Sequence, residues 1–232
     1  ARYDDANYGN LVISLINPAM NTGAAAGDTY FDIEGIISGA GNDTIFGNGA
    51  ANNLFGGGGN DNIHGGHGAD LHNGGAGIDY ARYDDAAYGS LVISMANPAS
   101  NTGAAAGDTY VDIEGIIAGA GNDVVTGNSL ANNLFGSGGN DTLNGGLGND
   151  VLVGGTGGDT FVFNTALNAT TNVDTISDYA LADVIHLENA IFTALTSTGT
   201  LAAGQFRIGA AAADADDRII YNSATGALSY DS

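Results

Sequence analysis

Aspartates recur at multiples of nine residues in two glycine-rich stretches of this chain. Asp43, Asp61, Asp70 and Asp79 stand in the first, and Asp123, Asp141, Asp150 and Asp159 in the second, with Asn52 and Asn132 filling the same register. A carboxylate on a short side chain, set in a turn whose glycines let main-chain carbonyls converge, offers hard oxygen ligands to a divalent cation. Other chemistry finds little support. The sequence has no Cys, hence no thiolate metal site, disulfide framework or Cys nucleophile, and it contains neither a G-x-S-x-G elbow nor an H-E-x-x-H pair. The carboxylates therefore read as metal ligands, and the chain is not expected to be an enzyme.

Each unit follows the pattern G-G-x-G-x-D-x-U-x, with U apolar. The first series is SGAGNDTIF, GNGAANNLF, GGGGNDNIH, GGHGADLHN and GGAGIDYAR from Ser38; the second is AGAGNDVVT, GNSLANNLF, GSGGNDTLN, GGLGNDVLV and GGTGGDTFV from Ala118. The first six residues of a unit predict a turn and the last three a short strand. Its U residue (Ile45, Leu54, Ile63, Val125, Leu134, Leu143, Leu152, Phe161) points inward, and the residues beside it point out. Two units make one coil, so turns two units apart stack and share an ion. Asp43, Asp61 and Asp79 then line one edge, with Asn52 and Asp70 on the other. Glu34 and Glu114, nine residues before Asp43 and Asp123, extend the register and read as ligands that start the second edge of each series. Asp and Asn at the sixth position, with these two Glu, give twelve donors, hence roughly six to ten Ca²⁺ if each is shared.

A larger repeat contains the smaller one. At an offset of 80, ARYDDANYGNLVIS falls on ARYDDAAYGSLVIS and NTGAAAGDTY on itself, with 56 of 80 positions identical. The expected organisation is a first repeat over 1–82, a second over 83–162, and a C-terminal β capping region over 163–232. The segments 1–37 and 83–117 alternate apolar and polar residues and predict wider coils that continue the same structure. The second copy begins in the middle of a nonapeptide, which suggests by analogy that the first does too and that the chain was cut from a longer parent.

Composition agrees with a metal-dependent repeat. Glycine occurs 39 times in 232 residues, against about 7% in ordinary proteins, yet no G-x-y period is present. Four Arg and no Lys face 26 acidic residues, giving a formal charge of −22, so nucleic acid is not an expected partner. Of those acids 23 are Asp and three Glu, a bias that suits turns better than a solvated acidic surface. Bound divalent metal would cancel much of this charge. Apolar runs such as LVISLI are far too short to span a membrane, and the acidic start ARYDD is not a signal peptide.

These units resemble the hemolysin-type calcium-binding repeats of RTX proteins over 38–82 and 118–162. The resemblance implies an all-β, right-handed parallel β-roll, a solenoid closed by a C-terminal β cap. It also implies that carbonyls at positions two and four complete each site. In the first copy these are Gly39 and Gly41, Asn48 and Ala50, Gly57 and Gly59, Gly66 and Gly68, and Gly75 and Gly77. In the second they are Gly119 and Gly121, Asn128 and Leu130, Ser137 and Gly139, Gly146 and Gly148, and Gly155 and Gly157. FDIEGIISGAGND and VDIEGIIAGAGND are similar to the segment leading into the roll of serralysin-like proteins, and TFVFNTA, VDTISDY, DVIHLE, QFRIG and the hairpin RIIYNSATGALSYD to the C-terminal β region of type I secreted proteins. Asn168 and Asp174 are candidates to close a last ion site, and Asp214, Asp216 and Asp217 are expected in a solvated loop. The family implies secretion to the extracellular space by a type I system, with the export signal outside this chain, and folding on Ca²⁺.

Several positions depart from the pattern. Asn52 and Asn132 replace Asp in units that also lack most glycines, which predicts weaker or neutral sites. His72 and Ala81 occupy U positions and predict a less well packed coil. His64, His67 and His72 do not predict a transition-metal site, because their counterparts are Asn144, Leu147 and Leu152. A second reading makes the roll an extracellular adhesin or a platform binding polysaccharide or a cell surface, through Phe46, Phe55 and Phe135 with nearby Tyr80 and Tyr83.

Overall fold

The computed structural model describes residues 1–5, 7–166, 168, 170–188 and 190–192, together with the strands Phe206–Ile208, Ile219–Asn222 and Ala227–Tyr230. Successive nonapeptides form strands that alternate between two sheet faces. On one face Thr44–Asn48, Asn62–Gly66 and Tyr80–Arg82 pair in parallel; on the other Gly35–Ala40, Asn53–Gly58 and Leu71–Ala76 do so. The register steps by two units, Ile45 against Ile63 and Leu54 against His72, which makes a parallel β-roll.

Each U side chain supplies the core. Ile45, Leu54, Ile63, Val125, Leu134, Leu143, Leu152 and Phe161 are completely buried, and they belong to a single apolar cluster running from Tyr3 to Ile176. The three-residue strand expected from the pattern is found at Val124–Thr126 and Thr142–Asn144, but Asn53–Gly58 and Asn133–Gly138 are six residues long. The extra length comes from the first three positions of the next unit. Gly56 and Gly136 there face inward, so the two-residue alternation carries across the unit boundary.

The segments between the nonapeptide blocks continue the roll as wider coils. Val12–Ser14 pairs in parallel with Thr44–Asn48, and Val92–Ser94 with Val124–Thr126. Each is followed by two short 3₁₀ turns, the first opening on Pro18 or Pro98, whose fixed φ suits the first helical position.

Equivalent parts of the two copies lie on opposite faces. Val12–Ser14 belongs to an eleven-stranded sheet and Val92–Ser94 to a five-stranded one, while Gly35–Ala40 belongs to a four-stranded sheet and Gly115–Ala120 to the eleven-stranded one. Seven strands, an odd number, run from Val12 to Arg82, so one 80-residue repeat ends half a coil out of phase with where it began. Tyr80–Arg82 then pairs with Gly115–Ala120, and the eleven-stranded sheet passes without a break from the first copy into the second.

Beyond Thr160–Phe163, strands Thr175–Ile176 and Val184–Leu187 add in parallel to the last coil. Ala227–Tyr230 then joins Thr175 in antiparallel sense and pairs with Ile219–Asn222 as the expected hairpin. This change of direction ends the stacking, as a terminal cap must. Asp214, Asp216 and Asp217 fall outside the described residues.

The coil holding His72 and Ala81 is packed rather than loose, which corrects the expectation from their side chains. Both are fully buried, and the rings of Tyr83 and Tyr110 lie 5.9 and 5.6 Å from that of His72, filling the space. Tyr83, expected near an outward aromatic surface, is therefore a core residue. Neither nitrogen of His72 makes a hydrogen bond of normal geometry; burial, with His64 nearby, pushes its pKa down to about 4, and a weak approach of the Thr109 backbone offsets this only in part. An unpaired buried polar group costs roughly 1–3 kcal/mol. His72→Leu, which installs the residue found at Leu152, is expected to raise the stability of the calcium-loaded chain by about 1–2 kcal/mol. Urea unfolding in CaCl₂ measures it, and an unchanged midpoint refutes it.

Candidate metal centre

The position-six side chains form columns along the edges of the roll. The amide of Leu11 donates to Asp43 Oδ1 (2.7 Å), that of Asp43 to Asp61 Oδ1 (2.8 Å), that of Asp61 to Asp79 Oδ1 (2.7 Å), and that of Asp79 to Glu114 Oε2 (2.9 Å). Across the half-coil shift the same edge resumes with Asn132 donating to Asp150, and Asp150 to Asp174. On the opposite side, Asn52 donates to Asp70, and Asp70 across to Asp108 of the second copy. Within the second copy, Leu91, Asp123, Asp141 and Asp159 donate in turn to Asp123, Asp141, Asp159 and Asp183.

Each carboxylate thus spends one oxygen on the neighbouring coil. The other is left over. Oδ2 of Asp43, Asp61, Asp70, Asp79, Asp123, Asp141, Asp150 and Asp159 is buried and without a hydrogen-bond partner, eight oxygens in all. A repeated orphan of this kind needs a partner that is not a protein hydrogen. The side chain also folds back over its own unit: a Cβ on Gly56 would collide with Asp61 Oδ2, and one on Gly145 with Asp150 Oδ2. That contact explains why the first position is glycine in most units.

Electrostatics point the same way. Burial, reinforced by the neighbouring carboxylates of the column, pushes Asp61, Asp141 and Asp150 up to about 7. Burial alone takes Asp70 to about 6 and raises Asp43 and Asp123. Holding such a row ionised is unfavourable unless a cation lies against it.

Backbone φ separates two kinds of turn. In the unit GGHGADLHN, Gly66 and Gly68 adopt φ of 97° and 136°, a region closed to most side chains. Ser137 adopts φ of 81° where the first copy has Gly57 at 103°. In GNGAANNLF neither Asn48 nor Ala50 is left-handed, and the turn closes on itself instead. Asn52 Oδ1 accepts the Asn48 amide, and Asn48 Oδ1 accepts that of Ala50, both at 2.8 Å; Asn132, Asn128 and Leu130 repeat this in the second copy.

Of the other sequence candidates, Glu114 and Asp174 sit on the columns, Glu34 is exposed, and Asn168 closes a local turn by accepting the Thr170 and Thr171 amides. Sequence reasoning missed Asp108 and Asp183. Both are column ends, and their second oxygens are satisfied, Asp108 by the Tyr83 hydroxyl (2.6 Å) and Asp183 by the Ala180 amide (2.6 Å). Neither lies in the nine-residue register, although the identical NTGAAAGDTY of both copies marks Asp108 as constrained. A parallel row of position-five asparagines was also missed. Asn42 Oδ1 accepts the Asn60 amide and Asn60 Oδ1 that of Ile78, with Asn122 and Asn140 alike in the second copy.

A family model, the RTX calcium-binding nonapeptide repeat, matches four times, over residues 36–61, 46–81, 116–129 and 126–161. Residues 36–81 and 116–161 are RTX calcium-binding nonapeptide repeats. These segments cover the columns from Asp43 to Asp79 and from Asp123 to Asp159, and the roll they build is a calcium-binding module. The donor set fits the ion: hard carboxylate and carbonyl oxygens, with eight of the former otherwise unpaired. RTX repeats are typical of secreted proteins, and no helix among the described residues is long and apolar enough to cross a membrane. In sequence the chain matches no curated protein.

Proposed function

We propose that this chain is the calcium-gated folding module of an extracellular protein, exported as an open chain and closed into a roll by Ca²⁺ outside the cell. The observation that carries this reading is the set of eight buried, unpartnered Oδ2 atoms. Among the described residues no three carboxylate or imidazole side chains converge on a point. Each ion therefore takes one or two column carboxylates, and its remaining oxygens come from carbonyls at positions two and four, such as Gly57 and Gly59 or Gly66 and Gly68. The Asn52 and Asn132 turns, already closed by their own side chains, are the weak or vacant positions. Eight available carboxylates support a count of roughly six to ten ions.

Magnitudes favour folding by binding over a preformed roll. A nonapeptide buries one U side chain, worth roughly 1.5–3 kcal/mol, whereas burying its carboxylate unpaired costs several kcal/mol. The apolar term loses without the ion. With Ca²⁺ at roughly 10⁻⁴ to 10⁻³ M, the range of extracellular modules, the sign reverses.

Equilibrium dialysis of the whole chain against millimolar CaCl₂, with MgCl₂ as control, tests the reading. Retention of about six to ten Ca²⁺ per chain is expected. Retention of one or none, or equal retention of Mg²⁺, overturns it.

A further inference from the structure

Where the second copy begins, its first loop folds against the outer face of the first copy and borders an open cleft of about 280 Å³. Small-molecule pockets begin near 300 Å³, so this cleft has room for a single ring rather than a long chain. Phe46 and His64 stand side by side on neighbouring strands, stacked at 4.4 Å with planes 20° apart, and Ile16 flanks them. Asp84, Asp85 and Tyr88 also line it, with Asp84 Oδ1 3.7 Å from His64 Nδ1. Arg82 clamps Asp84 through Nε (3.3 Å) and through Nη2, which fixes the carboxylate and neutralises it.

The side chains that build this cleft are not repeated in the second copy. Its three side-chain contributors from the first copy are all replaced there, Ile16 by Ala96, Phe46 by Thr126 and His64 by Asn144, although only 24 of the 80 paired positions differ. His67, whose ring packs edge-on against Tyr88 at 5.2 Å, is likewise replaced by Leu147. None of these four residues supplies a column carboxylate. The calcium columns account for the shared residues and leave this divergent group unexplained.

We infer that the Phe46–His64–Asp84 cleft is a binding site for a single neutral pyranose ring. Ile16 and the apolar edges of the Phe46–His64 pair offer contact to the C–H face of a sugar ring, and Asp84 and Asp85 offer acceptors to its hydroxyls. With Asp84 paired to Arg82, Asp85 is, among the described residues, the one carboxylate of the lining without a cation beside it, less negative charge than a site selecting an amine would concentrate. The Asp84 and Asp85 carboxylates in the lining disfavour an acidic sugar. The site is smaller and differently placed than the broad aromatic platform suggested by sequence, because Tyr83 is buried and Phe55 and Phe135 do not line it.

The test is an NMR titration of the whole chain in millimolar CaCl₂ with the methyl glycosides of glucose, galactose and mannose. At least one is expected to bind with a dissociation constant on the order of 1 mM, as befits a ligand of this size. Glucuronate and methylammonium serve as acidic and cationic controls and are expected not to bind. The double variant F46T/H64N carries the residues the second copy already uses at those places, and it should fold with calcium normally by circular dichroism while binding at least tenfold more weakly. I16A is the milder companion, expected to weaken binding while leaving the stack intact. Failure of all three glycosides, binding unchanged in F46T/H64N, or methylammonium binding in their place overturns the assignment. None of those results bears on calcium retention, so this site and the folding module stand or fall separately.

Discussion

Chelating calcium at about pH 7.5 is expected to abolish the β-sheet circular dichroism of this chain, and millimolar CaCl₂, not MgCl₂, to restore it in one cooperative transition. Eight carboxylates with a buried unpaired oxygen cannot remain ionised in a closed roll that has one U side chain per unit to offset them. Their pKa values add a second arm to the experiment. In the open chain Asp ionises near pH 4, whereas in the roll burial lifts Asp61, Asp141 and Asp150 to about 7 and Asp70 to about 6. Between those values the closed form holds protons that the open form has lost. The stability of the metal-free roll is therefore fully present below about pH 4 and declines as pH rises through about 7. EDTA-treated protein should regain β signal on acidification to about pH 4.5, and Ca²⁺ should matter less there. A spectrum that is β-rich in EDTA at neutral pH, or one that acid weakens further, would sink calcium-gated folding and leave the roll as a preformed scaffold.

Asp61→Ala is expected to remove two ions rather than one and to destabilise the loaded roll by about 3–5 kcal/mol, the scale for breaking a buried charged pair. Asp61 links three coils: its Oδ1 holds the Asp43 amide, its own amide reaches Asp79 Oδ1, and its Oδ2 lies unpaired against Gly56. Alanine there cuts the column in the middle. Asn52→Ala, by contrast, removes a side chain whose hydrogen bonds close its own turn, so it should change the calcium count by none. Calcium content by atomic emission together with urea unfolding distinguishes the two. Loss of a single ion in Asp61→Ala argues against sharing between stacked turns.

Much of this was legible before any coordinates. The nine-residue spacing of Asp with a U residue two positions later dictates a turn and an inward strand residue, and two units per coil follows from stacking like on like. Hence the pairing of Ile45 with Ile63, and of the Asp43, Asp61 and Asp79 edges, could be written down from the sequence. Local rules of that sort apply wherever each unit meets only its neighbours.

Other features needed the third dimension. Strand length across unit boundaries depends on Gly56 and Gly136 turning inward, which a glycine in the pattern does not announce. The packing of His72 and Ala81 depends on Tyr83 and Tyr110, which lie outside the nonapeptides and arrive only when the second copy folds back. Asp108 and Asp183 join the columns from outside the nine-residue register, because the wider coils change the sequence distance between stacked turns while preserving their spacing in space.

The sequence by itself determined the repeat, the ligand type and the roll, since those depend on chemistry that recurs every nine residues. The tertiary structure alone decided that the two copies sit half a coil out of phase, that Asp79 continues into Glu114, and that a cleft opens beside Phe46. Those depend on the parity of strands in one long repeat and on which loop reaches which face, quantities that no local pattern encodes.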